Sequence, residues 1–135
     1  MSKINIVFFN APKNLPLIGE LFNYYQAQKD FEAAIIDGAS EVAQVLSMSS
    51  NGIVIFKIEN KPDLQAAVTL LKSQKKLLKK GTLKVACLSF VKSKKVEKIL
   101  AKYGCQEILD PKTTTSKTFS FKVNFWSNNI RAQIK

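Results

Sequence analysis

The sequence predicts an α/β fold in which one doubly wound, five-stranded parallel sheet carries helices on both faces. Short apolar runs alternate with segments of helical periodicity along the whole chain. The connections between successive apolar runs are too long for hairpins, which indicates crossovers between parallel strands. A chain of 135 residues is also the right length for one such domain.

Five apolar runs, rich in β-branched and aromatic residues, are predicted as strands. They lie at 4–9, 31–36, 52–58, 83–90 and 107–109. The run 52–58 has branched residues on both faces, which is typical of a central strand. The simplest strand order is 2-1-3-4-5. This order places a candidate ligand site at the carboxyl ends of the first and third strands.

The segments between the strands are predicted as helices from their periodicity and their boundary residues. Pro16 is tolerated in a first helical turn, and Ser40 and Ser93 are candidate N-caps. After Pro62 we expect a single long helix that ends at Gly81, because glycine readily adopts the left-handed conformation of a helix end.

The tail after residue 112 is consistent with a strand or a helix. A strand would use the alternating residues Phe119, Phe121, Val123 and Phe125. A helix would bury the stripe Phe119, Val123, Trp126 and Ile130. We favour the helix, because residues 113–116 offer N-caps and a sheet face still needs cover. On that helix Phe121 and Phe125 would point away from the sheet and form an exposed apolar patch.

The composition argues against several classes of enzyme. Histidine is absent, which removes the commonest general base and the commonest zinc ligand. The chain has no GxGxxG, GxxxxGK[ST] or GxSxG motif, so dinucleotide, P-loop and hydrolase sites lack their characteristic turns. We therefore expect a protein that is not an enzyme and that carries no cofactor and no metal.

The cysteines and the apolar segments indicate a reduced, cytoplasmic protein. Cys87 and Cys105 match no metal or redox spacing, and we expect both to be buried packing residues. No apolar stretch approaches the length of a membrane span, and the chain start resembles no signal peptide.

In element order, length and loop positions, nearly the whole chain resembles a response-regulator receiver domain, a flavodoxin-like fold. Receivers end strand one with an acidic pair that binds magnesium, and they end strand three with the phosphoacceptor aspartate. Their strand four offers a Ser or Thr that follows the phosphoryl group, and their strand five ends in Lys-Pro. The corresponding positions in this chain are Phe9 and Asn10, Lys57, Ser89, and Asp110 with Pro111.

The resemblance implies a degenerate receiver, or pseudo-receiver, that cannot be phosphorylated. An aspartyl phosphate needs a carboxylate nucleophile, and the ammonium of Lys57 cannot replace it. Magnesium needs several hard oxygen ligands, and this region offers Asn10 with Glu59 or Asp37. This chain has a lysine where receivers have the phosphoacceptor aspartate, and an aspartate where they have the lysine of Lys-Pro. We therefore expect Lys57 and Asp110 to form a partly buried ion pair. The alternative is that both charges face solvent.

Two surfaces are candidates for binding partners. Lysines on neighbouring helices are predicted to form one basic patch, here called the lysine face: Lys72, Lys76, Lys79, Lys80, Lys94, Lys95, Lys98 and Lys102. It suits nucleic acid, an acidic protein or anionic lipid, since the formal net charge is +11. Receivers commonly signal, often as dimers, through the surface that here would join the last four of these lysines to Phe121, Phe125 and Trp126.

We interpret residues 1–135 as one receiver-like domain, either complete or the N-terminal module of a longer signalling protein. The predicted function is a protein interaction or dimerisation module in bacterial-type signalling that works without phosphorylation. The alternative is a small basic α/β domain that binds nucleic acid, although the chain lacks aromatic residues beside the lysines for base stacking. We expect no insertion into membranes.

Overall fold

The computed structural model describes residues 3–134, which form a parallel sheet of five strands in the order 2-1-3-4-5. The strands are β1 (Ile4–Phe9), β2 (Phe31–Ile36), β3 (Gly52–Ile58), β4 (Leu83–Ser89) and β5 (Glu107–Leu109). Every neighbouring pair is parallel. The predicted fold class and strand order are therefore confirmed.

Six helices connect and follow these strands within the described chain. They are α1 (Pro16–Gln26), α2 (Ala39–Ser49), α3 (Lys61–Ser73), α4 (Lys75–Lys80), α5 (Lys94–Lys102) and α6 (Ser116–Gln133). Side chains of α1 and α6 pack on one face of the sheet. Those of α2, α3, α4 and α5 pack on the other. Each face thus has its own hydrophobic core.

Strand β3 lies in the middle of the sheet and contributes to both cores. Ile53 and Ile55 enter the core beneath α1 and α6, whereas Val54 and Phe56 enter the opposite core. This alternation follows from the two-residue period of a strand. Since apolar residues on both faces are what a central parallel strand requires, the prediction for this segment is confirmed.

Two helix boundaries differ from those predicted. The expected long helix breaks at Gln74, whose backbone (φ −109°, ψ 21°) leaves the helical conformation and separates α3 from α4. The second helix begins at Ala39 with Gly38 as its N-cap, so Ser40 lies inside the first turn. Ser93 does cap α5, accepting a hydrogen bond from the Val96 backbone N–H at 3.3 Å.

The tail forms helix α6, as predicted. Its N-cap Thr115 accepts a hydrogen bond from the Thr118 backbone N–H at 3.2 Å. In return Thr118 Oγ1 accepts one from the Thr115 backbone N–H at 3.1 Å, which completes a capping box. The apolar stripe predicted for a helix is buried: Phe119, Val123, Trp126 and Ile130.

Both cysteines are buried thiols, as expected for packing residues. Burial raises the pKa of the Cys105 thiol to about 12 and that of the Cys87 thiol further. Both side chains are therefore neutral at physiological pH. Within residues 3–134, no helix is both long enough and apolar enough to cross a membrane.

Candidate functional site

The carboxyl ends of β1 and β3 meet at one buried carboxylate, that of Asp63. Its Oδ1 accepts a hydrogen bond from Asn10 Nδ2 at 2.7 Å. Its Oδ2 accepts from the ammonium of Lys57 at 3.2 Å and from the backbone N–H of Glu59 at 2.9 Å. Asn10, Lys57, Glu59 and Asp63 are called the Asp63 cluster below. The cluster ties the end of β1 and the end of β3 to the start of α3.

The local sequence explains why Asp63 lies here. Asn60 is the N-cap of α3, and its side-chain oxygen accepts a hydrogen bond from the Asp63 backbone N–H at 3.0 Å. A carboxylate in the first turn of a helix is also stabilised by the helix dipole. Asp63 was absent from the predicted site. The spacing Asn60-Lys-Pro-Asp63 is a capping signal that could have revealed it.

The ammonium of Lys57 lies between two carboxylates. It is 3.1 Å from Glu59 Oε1 and 3.2 Å from Asp63 Oδ2, and the Lys57 side chain is 13% exposed. The predicted ion pair between Lys57 and Asp110 is therefore wrong, because Lys57 takes acidic partners from the loop and helix that directly follow its own strand. Asp110 instead accepts a hydrogen bond from the Lys112 backbone N–H at 2.9 Å.

The cluster stabilises the charged forms of its two buried ionisable groups. Burial acts to raise the pKa of Asp63, but hydrogen bonds from Glu59, Asn10 and Lys57 outweigh it, and the pKa is lowered. Burial acts to lower the pKa of Lys57, but the bonds to Glu59 and Asp63 outweigh it, and the pKa is raised. The ion pair is thus fully charged at neutral pH.

These opposite pKa shifts predict a loss of stability at both ends of the pH scale. Asp63 stabilises the fold above its unfolded pKa, about 3.9, and this contribution is lost as pH falls through the lower folded value. Lys57 stabilises the fold below its unfolded pKa, about 10.4, and this contribution is lost as pH rises through the higher folded value. Urea unfolding from pH 2 to pH 12 measures both losses.

The matched control is the double variant Lys57→Met with Asp63→Asn, which removes both titrating groups but keeps side chains of similar size. Its unfolding free energy should vary less with pH than that of the wild type in both windows. If the two pH profiles have the same shape, the stabilising role assigned to the cluster is wrong.

The last residue of β1 and the residue after it both serve the fold. Phe9 is 1% exposed and belongs to the core beneath α2 and α3. Asn10 has a φ of 53°, a left-handed conformation that asparagine tolerates better than most residues. This conformation accompanies the bond from the Asn10 amide to Asp63.

Ser89, Asp110 and Pro111 belong to a neighbouring cleft. They line an open space of about 940 Å³ between the loop after β4 and the loop after β5. The Ser89 hydroxyl donates a hydrogen bond to the Val91 carbonyl at 2.7 Å, so it is engaged within its own loop. The structure therefore divides the six predicted site positions between the region of the Asp63 cluster and this cleft.

The Asp63 cluster is poorly suited to binding a divalent cation. Among residues 3–134, no three or more Asp, Glu, Cys or His side chains group in a way that could hold a metal. The two carboxylates of the cluster already face the ammonium of Lys57, and a dication would be repelled by that charge. The arrangement joins three chain segments through charge-assisted hydrogen bonds.

Two of the three α6 residues predicted for the interaction surface are exposed. Phe121 and Phe125 are 67% and 65% exposed, as expected for one side of the helix. Trp126 was also predicted on this surface, and that prediction is wrong. It is 7% exposed and packs edge-on against Phe119, with ring centroids 6.3 Å apart. The helical period places Trp126 beside Phe119 and Val123 on the core stripe.

The lysine face is exposed and lies on one side of the sheet. All eight of its lysines are exposed, and α3, α4 and α5 pack into the same core. Lys72 of α3 and Lys102 of α5 lie over the ring of Tyr103, with ammonium-to-centroid distances of 5.2 and 5.6 Å. The two helices are therefore neighbours, as predicted, and their positive charges converge. The expectation that no aromatic residue lies beside these lysines is wrong, because the Tyr103 ring lies under two of them.

Solved structures with receiver folds resemble this chain. A signal receiver domain of an HD domain-containing protein from Pseudomonas fluorescens is 11% identical, with a TM-score of 0.71 over 96% of this chain and 98% of that one. A response regulator receiver domain protein from Methanospirillum hungatei is 12% identical, with a TM-score of 0.64 over 97% and 99%. These similarities show a receiver-like fold.

A third similar structure is described as an atypical orphan response regulator with a phosphorylation-independent regulatory mechanism. It is 15% identical, with a TM-score of 0.64 over 95% of this chain and 96% of that one. No protein-family model and no curated protein sequence matches the chain.

Proposed function

We propose that this chain is a cytoplasmic receiver-like module that acts in bacterial-type signalling through protein contacts, without phosphorylation and without enzymatic activity. The observation that carries the proposal is the position of Lys57. Lys57 is the second-last residue of β3, and its ammonium is paired with Glu59 and Asp63. An acyl phosphate cannot form on an ammonium. The carboxylates of Glu59 and Asp63 are already engaged by that ammonium and therefore serve to stabilise the fold.

The receiver-like fold and one of its relatives support this proposal. The atypical orphan response regulator described above is named for a phosphorylation-independent mechanism. A module of this kind would present one fixed surface to its partner, because the Asp63 cluster holds the ends of β1 and β3 and the start of α3 together.

The proposed contact surface is the exposed side of α6. Phe121 and Phe125 are four residues apart, so their rings lie on the same side of the helix. Beside them Lys122 donates a hydrogen bond to Glu107 of β5 at 2.9 Å. An apolar centre with charged residues at its rim is the usual composition of a protein interface. The surface suits a protein partner or a second copy of this chain.

The test is to immobilise the chain and capture partners from the source cell with and without beryllium fluoride and magnesium. The same partner should be retained in both conditions. Phe121→Glu should weaken its binding by at least about tenfold, since a charge would be placed at the apolar centre of the interface.

Tyr24→Glu is the matched control, because it places the same charge on an exposed aromatic residue of α1. Capture that requires beryllium fluoride would contradict the proposed independence from phosphorylation. Capture that responds equally to Phe121→Glu and Tyr24→Glu would contradict the assignment to α6.

One observation favours nucleic acid as a second candidate partner. Lys72 and Lys102 converge on Tyr103 within the lysine face, and converging ammonium groups attract phosphate. Retention on nucleic acid that weakens steeply with salt, and that is reduced by Lys72→Gln with Lys102→Gln, would favour this function. Exposed lysines elsewhere, such as Lys13 and Lys61, provide the control substitutions.

A further inference from the structure

The two edges of the sheet differ in length and cover. β5, at one edge, has three residues, and a short edge strand offers little for another strand to pair with. β2, at the other edge, has six residues, and the side chains of Phe31 and 33–36 are only partly buried. The strand contains neither lysine nor proline, the residues that usually protect an edge from pairing.

The hydrogen bonds to β1 show which backbone groups of β2 face outward. The Asp30 carbonyl accepts from the Ile4 N–H at 3.0 Å, and the Ile36 carbonyl accepts from the Asn10 N–H at 3.1 Å. Because a strand alternates its bonding direction, the even-numbered residues of β2 bond to β1. The N–H and C=O groups of Ala33 and Ile35 therefore point to the side where no strand of the described chain lies.

We propose that this edge is a self-association surface, on which β2 of a second copy of the chain pairs in the antiparallel direction. Two-fold symmetry requires the residues that exchange hydrogen bonds to be outward-facing in both copies. Only odd-numbered residues satisfy this condition. Centring the pairing on Ala33 aligns Ala33 with its own symmetry mate and Phe31 with Ile35 of the second copy.

The charges at the ends of β2 favour this register. With Ala33 at the centre, extending the register past both strand ends brings Lys29, in the turn before β2, opposite Asp37 of the other copy, in the loop after β2. Both residues are exposed. Arg131 donates a hydrogen bond to the Asp30 carbonyl at 3.4 Å, so it places a further positive charge at the Lys29 end. Lys29 and Arg131 of one copy thus face Asp37 of its mate, which supplies complementary charge at both ends of a two-fold contact, while Asp30 and Glu32 add negative charge between them.

Apolar groups beside the strand add to the contact. Phe31 opposite Ile35 would form two symmetric cross-strand apolar pairs. An open groove of about 710 Å³ flanks the strand on the α2 side and includes Met48, which is 87% exposed. Apolar side chains of the second copy could bury Met48 there. The proposal does not depend on the α6 contact, since it concerns a different surface of the domain.

Charge reversal provides the test, with the molecular mass in solution measured by light scattering. The wild type should form a species of about twice the 15.1 kDa mass of one chain. Lys29→Glu alone and Asp37→Lys alone should each weaken dimerisation by about tenfold or more, since both symmetric pairs become repulsive. A mixture of these two single variants should dimerise again. In the mixed dimer the introduced glutamate faces the introduced lysine, and the unchanged Asp37 faces the unchanged Lys29.

Two further variants complete the test. Ala33→Pro removes an outward N–H but no bond to β1, so it should abolish dimerisation while the circular dichroism spectrum and melting behaviour persist. Lys75→Glu on α4 makes the same charge change at an exposed lysine outside every proposed contact surface and should leave dimerisation unchanged.

Three outcomes would overturn the proposal. The first is a wild type that stays monomeric up to about 1 mM, where even a very weak dimer would be populated. The second is a dimer that the mixture of single variants fails to restore. The third is a dimer lost on Phe121→Glu and retained with Ala33→Pro, which would assign self-association to α6.

Discussion

Asp63→Ala is expected to lower the free energy of unfolding by about 3 kcal/mol. The substitution leaves the largely buried ammonium of Lys57 with one acidic partner, Glu59, whose side chain is 49% exposed. It also removes the acceptor of the hydrogen bond from the Asn10 side-chain amide. Breaking a buried ion pair by removing one partner typically costs about 3–5 kcal/mol, because the other charge is left uncompensated. Urea denaturation at pH 7 measures the loss.

Asp110→Ala is the matched control, since it removes the same carboxylate from the position first expected to pair with Lys57. The Asp110 carboxylate accepts an exposed hydrogen bond from the Lys112 backbone N–H, and we expect its loss to cost about 0.5 kcal/mol or less. An equal loss in the two variants would contradict the assignment of Asp63 as the partner of Lys57.

A double-mutant cycle separates the ion pair from its surroundings. Lys57→Met, Asp63→Asn and their combination should show a coupling energy of about 1–3 kcal/mol. Strictly additive losses would mean that the two residues stabilise the fold independently. The same cycle with Lys57 and Asp110 should give additive values.

Trp126→Ala is expected to cost about 3–5 kcal/mol, whereas Phe125→Ala should change stability by less than about 0.5 kcal/mol. The two aromatic residues are adjacent in sequence, but Trp126 is 7% exposed and packs on Phe119, while Phe125 is 65% exposed. Removing Trp126 leaves a cavity between α6 and the sheet. Removing Phe125 takes away surface that water already contacts.

Thermal or urea unfolding of both variants checks this difference. Binding provides the complementary measurement, because Phe125→Ala should weaken the proposed α6 contact while the fold remains stable. A Trp126→Ala protein that is stable but binds its partner more weakly would show that Trp126 belongs to the interaction surface and would contradict its place in the core.

Most of the fold follows from patterns that are local in the sequence. The five strands are continuous apolar runs, and the caps Ser93 and Thr115 and the stop at Gly81 act through backbone groups a few residues away. The break at Gln74 was missed. Its backbone N–H bonds to the carbonyls of Leu70 and Leu71, and neither a proline nor a glycine marks the position in the sequence.

The candidate site was harder to predict, because strand ends alone do not determine side-chain partners. Position and residue type correctly placed Lys57 at the end of β3 and Asn10 after β1. The partner of Lys57 was misassigned to a distant strand end, when the Asn60 cap had placed an acid only six residues away. A capping motif at the start of a helix can thus also supply a side-chain partner for a residue near the end of a neighbouring strand.

Residue order alone establishes the alternation of strands and helices, the absence of histidine and the presence of a lysine where receivers carry the aspartate that ends strand three. These features depend on chain neighbours and on composition. The Lys57–Asp63 pair and the buried position of Trp126 depend on how the segments of the chain pack together. The charge-complementary edge of β2 likewise depends on strand order and on which backbone groups β1 already satisfies. Hydrogen bonding and burial are properties of that three-dimensional arrangement, because they arise from groups brought together by folding.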